Sequence, residues 1–143
     1  MTPLTMWLLL GAFVAVNCDL SGSDLNRLYN TRVHYAEWVT RPKQGMPSWV
    51  PHWCITTHSG VRVKLDDGRR FLIHKGPDFG VASETVITDA AHMSDKWQVK
   101  TATYFARIIT VGDFVKAAGE NYNIWSGQHC HAAAEDMMNL GKK

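Results

Sequence analysis

The chain has 143 residues, a formal net charge of +2, 45% hydrophobic residues and three cysteines. So small a charge, with lysine and arginine scattered along the chain, argues against nucleic acid or an anionic membrane as the main partner. A small-molecule, lipid or peptide substrate, or another protein, remains.

An apolar run from Met6 to Val16 is followed by Asn17, Cys18 and Asp19. A bilayer-spanning helix needs about 20 apolar residues, so this shorter run reads as the core of a cleavable signal peptide. Small residues near Ala15 to Cys18 suit cleavage, which assigns residues 1–18 to the signal and predicts a secreted, extracellular protein. Residues 19–143 then form one domain, long enough to bury a core without covalent staples. They hold no second apolar run of membrane length, so no integral membrane association is expected. No repeat and no low-complexity tract divides them. After cleavage Cys54 and Cys130 remain, either as one disulfide or with at least one thiol kept for chemistry.

Residues Asp24 to Asn30 read as a short helix. Thr31 to Thr40 reads as a strand, with Val33, Tyr35 and Glu37 on one side and His34, Ala36 and Trp38 on the other. Arg41 to Pro51 holds three prolines and Gly45 and reads as a loop. His52 to Thr57, Val61 to Leu65 and Arg69 to His74 read as three short strands. The tight-turn sequence Asp66-Asp67-Gly68 joins the last two. Lys75 to Gly80 reads as another loop. Strands are then expected at Glu84 to Thr88 and at Gln98 to Ile108, with a polar stretch around His92 to Lys96 between them. From Thr110 the period changes to helical: Val111, Phe114, Val115 and Ala118 share a stripe, Thr110 is the N-cap and Gly119 the stop. A last helix begins near Cys130 and runs towards Leu140, with Gly141 ending it. The expected fold class is α+β, an antiparallel sheet packed against two or three helices.

A cysteine at a helix N-terminus meets the positive end of the helix dipole and unpaired amides, which stabilise a thiolate. To work as a nucleophile it also needs an imidazole base, a group orienting that base, and donors for the oxyanion. His52, opening a strand, and His74, ending one, sit in suitable settings. Three pieces then stand in a telling order: His52-Trp53 entering a strand, Phe71-Leu72-Ile73-His74 leaving one, and Cys130 opening a late helix within Gly127-Gln128-His129-Cys130-His131-Ala132-Ala133. Together they resemble the lecithin retinol acyltransferase-like group of the NlpC-type superfamily, which is circularly permuted papain-like. The resemblance covers about Trp49 to Leu140. It implies a permuted papain-like fold with Cys130 as nucleophile, His52 as general base and His74 as the residue that orients the base. It also implies a cysteine-dependent hydrolase or acyltransferase acting on an ester, thioester or amide, which the signal peptide makes a secreted one; no cofactor and no metal are expected.

Other uses of the same residues stand beside that one. Alternation puts Cys54 on the same face as His52, which invites a Cys54–Cys130 disulfide and hence a secreted, non-catalytic binding protein. His129, Cys130 and His131 carry zinc-ligand chemistry, but neighbouring helical residues point about 100° apart and do not face one ion. Gln128 and His131 are the nearest candidate hydrogen-bond donors beside Cys130. Trp38, Trp49, Trp53, Trp97 and Trp125 read mostly as core or loop anchors. N-terminal sequencing of secreted material is expected to start close to Asp19; material that still begins at Met1 contradicts the signal assignment.

Overall fold

The computed structural model describes residues 22–43, 57–76, 85–123 and 126–142. In chain order these form α1 (Gly22–Asn30), β1 (Val33–Pro42), β2 (Thr57–Leu65), β3 (Arg70–Lys75) and β4 (Thr85–Asp89). A 3-10 turn (Ala90–His92), β5 (Gln98–Tyr104), α2 (Val111–Ala118), α3 (Cys130–Met138) and a terminal 3-10 turn (Asn139–Lys142) follow. The fold is α+β. Five antiparallel strands lie in the order β4-β3-β2-β1-β5, so β2 is the centre and β5 an edge.

The turn Asp66-Asp67-Gly68 sets the register of the central hairpin, with Gly68 at φ 87, where a side chain is strained and glycine is not. Gly60 then lies opposite His74, Val61 opposite Ile73 and Val63 opposite Phe71. Side chains alternate across a strand, so Val61, Val63, Leu65 and Ile73 leave on one side, where they meet the helices. Phe114 and Val115 from α2, with Ala134 and Met137 from α3, complete that core and are fully buried. Phe105 meets Phe114 edge to face, with ring centroids 5.4 Å apart.

The expected signals around α2 hold. Thr110 caps the helix through the amide of Asp113, whose carboxylate accepts from the Thr110 amide in return, and Gly119 closes it. The far end of α2 is held by the sheet: Lys75 Nζ donates to the Ala118 carbonyl at 2.7 Å, and the Thr85 hydroxyl donates to the Gly119 carbonyl. A lysine suits this position because the helix C-terminus carries partial negative charge.

Three expectations change. β1 does not alternate regularly from its start, because a bulge between Val33 and Tyr35 turns both Val33 and Ala36 into the core and leaves Tyr35 and Glu37 on the other side. The break expected between Thr57 and Val61 is absent. β2 runs unbroken through His58, Ser59 and Gly60. β5 ends at Tyr104 rather than at Ile108, which is 79% exposed. The expectations for residues 1–18, Trp49, Trp53, His52, Cys54 and Trp125 lie outside the described residues.

Candidate functional site

The unbroken course of β2 places two sets of polar groups on its two sides. Thr57 and Ser59 belong to the helix-facing set with Val61. His58 belongs to the opposite set, with Gly60 and Arg62.

On the helix-facing side the first turn of α3 is tied to β2. Trp38 Nε1 donates to Ser59 Oγ at 3.0 Å. Ser59 Oγ bonds His131 Nδ1, and His131 Nε2 lies 3.3 Å from Thr57 Oγ1. The indole can only donate, so the serine oxygen accepts from it, and either Ser59 or His131 supplies the proton between those two. His131 thus fastens the helix to the strand. The N-cap is His129, whose Nδ1 accepts from the Ala132 amide at 3.3 Å. Cys130, between them, is a buried thiol whose Sγ lies 4.0 Å from the Thr57 carbonyl oxygen.

On the opposite side His58 Nε2 and His74 Nδ1 are 2.9 Å apart, a hydrogen bond in which one ring donates and the other accepts. Gly60 makes this contact possible. A Cβ there meets Leu72 Cδ1 at 2.8 Å and His74 Cβ at 3.0 Å, so a side chain opposite His74 crowds the ring away. Trp97 flanks both imidazoles edge-on, at centroid distances of 5.7 Å from His58 and 6.4 Å from His74. Arg41, opposite His58 across β1 and β2, stacks over Trp97 with its guanidinium carbon 5.1 Å from the ring centre.

Both imidazoles are held neutral. Burial, then the neighbouring His74, Arg41, Lys43 and His131, push His58 down to about 3. Burial, with Arg41 behind it, pushes His74 down to about 4. Across the strand pair, Glu37 and Arg62 form a bidentate ion pair with contacts of 3.3 and 2.7 Å.

Of the residues expected from the sequence, Cys130 opens α3 as expected and His74 ends β3, one residue before its last position. His52 lies outside the described residues. His74 meets His58, which the sequence reading passed over. The signal was there: with Asp66-Asp67-Gly68 as the turn, hairpin register puts Gly60 across from His74 and His58 one diagonal step away. No group of three or more histidine, cysteine, aspartate or glutamate side chains suited to a metal occurs among the described residues. Nor is any described helix long and apolar enough to cross a membrane.

Comparisons with protein-family models, with curated proteins and with solved structures return no match.

The neutral histidines carry a consequence for acid stability. An unfolded histidine takes up its proton near 6.5, whereas folded His58 and His74 wait until about 3 and about 4. Between those values the unfolded chain binds more protons, so stability is intact above about 6.5 and falls as pH drops towards 3. Urea titrations across that range are expected to show this acid limb. The double substitution His58→Gln with His74→Asn is expected to flatten it, and an unchanged limb refutes the assignment.

Proposed function

We propose that this chain is a secreted cysteine-dependent hydrolase or acyltransferase of permuted papain-like type, attacking an ester, thioester or amide carbonyl through Cys130. The observation that carries the proposal is the place of Cys130 as first residue of α3, where unpaired amides and the positive end of the helix dipole favour a thiolate. His58 leaves β2 on the side away from α3.

The chemistry divides as follows. An imidazole takes the Cys130 proton, and the sulfur bonds to the substrate carbonyl carbon while amides at the start of α3 hold the oxyanion. The tetrahedral adduct expels the alcohol, thiol or amine, which receives the proton from the imidazolium. Water or an amine then attacks the thioester, and Cys130 is released by the reverse proton movement. His74 orients the base, the role expected for it. The base is His52, as the family resemblance implies, while His58 faces away from Cys130 across β2.

A second reading rests on a specific observation. Cys130 is only 2% exposed and its S–H points at a carbonyl oxygen, a contact that favours thiol over thiolate. On that reading the domain is a secreted binding protein with an inert cysteine.

Alkylation separates the two. In a Cys54→Ser background, iodoacetamide at pH 6 is expected to modify Cys130 at least about tenfold faster than a model thiol, whose pKa near 8.5 leaves it almost wholly protonated. Of His52→Ala and His58→Ala, the variant that slows the reaction more identifies the base, and His74→Ala has the smaller effect. Modification of Cys130 only on denaturation, at the same rate in all variants, establishes the binding reading instead.

A further inference from the structure

The surroundings of the histidine pair contain positive charge beyond what the described carboxylates balance. Arg41 and Lys43, both half-buried at the end of β1, act on His58. Glu37, a carboxylate on the same side of β1, is occupied by Arg62. Among the described residues no carboxylate lies within ion-pair distance of Arg41 or Lys43. Arg41 makes a long contact of 3.5 Å to the carbonyl of its neighbour Pro42 and stands over the ring of Trp97. Stacking fixes the plane of a guanidinium while leaving its edge N–H donors available, and that edge matches a carboxylate or phosphate in two-point fashion. A bound metal ion fits poorly here, although two imidazole nitrogens stand 2.9 Å apart, because two neighbouring cations repel it.

We infer that the corner formed by Arg41, Trp97, His58 and His74 is an oxyanion-binding subsite, which takes a carboxylate or phosphate seated on Arg41. The subsite stands independently of the chemistry of Cys130, which lies on the other side of β2. Arg41 is the specificity residue, Trp97 holds its plane, and the neutral imidazoles beside it leave the anion's position free of competing negative charge.

The test uses the secreted chain with Cys130→Ala, which removes the nucleophile and so separates binding from acyl chemistry. Histidine and tryptophan side-chain resonances are followed by NMR while succinate or inorganic phosphate is added, with sodium chloride at matched ionic strength as control. Saturable shifts confined to His58, His74 and Trp97 are expected, and the larger response of succinate or of phosphate names the group. A bound anion stabilises the charged imidazole, so the His58 titration is also expected to move upward. Arg41→Gln is expected to weaken binding at least about tenfold, a loss of about 1.4 kcal/mol. Arg41→Lys retains part of it, and Lys116→Gln on α2 leaves it unchanged. Absence of saturable shifts up to tens of millimolar, or equal shifts in Arg41→Gln, overturns the inference whether or not Cys130 proves reactive. Normal binding with an unreactive Cys130 in the wild-type chain leaves the subsite standing and removes only the acyl chemistry.

Discussion

Successive side chains of a strand leave on opposite sides, and β2 gives its two sides different tasks. Thr57 and Ser59 hold α3 through His131, while His58, one position between them, leaves the other way to meet His74. A one-residue slip of this strand exchanges the two sets and buries an imidazole where the helix requires a hydroxyl. Register is therefore the property on which both sides depend. It is fixed from below by the Asp66-Asp67-Gly68 turn and from above by the pairing of β2 with β1.

The helices are placed by polar contacts as much as by the core. The end of α2 rests on Lys75 and Thr85, and the start of α3 on Thr57 and Ser59. These four residues are buried, and in low dielectric a hydrogen bond with no replacement from water costs about 1–3 kcal/mol to lose. The position of Cys130 is thus set on both flanks, by His129 as the cap and by His131 as the tie. Its chemistry depends on what reaches that corner, since the sulfur itself is enclosed.

Much of this was legible where local signals are strong. The capping box of Thr110 and Asp113, the stop at Gly119 and the central turn all sit within a few residues of their partners, and each was readable from the chain. The failures are tertiary in origin. Ser59-Gly60 reads as a break because both residues favour turns, yet Gly60 is a spacer that admits the ring of His74, and Ser59 is the acceptor for Trp38. Splitting the strand there hid His58 and with it the nearest partner of His74. The bulge after Val33 leaves no local trace, since it reflects how β1 meets β2. β5 was overextended because its Val, Thr and Tyr residues continue the strand pattern into Phe105 to Ile108, where the chain instead turns Phe105 and Ile109 into the core.

The central claim is that His58 and His74 form one neutral hydrogen-bonded unit. Long-range proton–nitrogen correlation spectra of the imidazoles at neutral pH report it directly, because bare and protonated ring nitrogens resonate far apart. The account predicts one proton shared between His58 Nε2 and His74 Nδ1, with one of these nitrogens bearing it and the other bare. Protons on both facing nitrogens, or an imidazolium in either ring at neutral pH, contradict it.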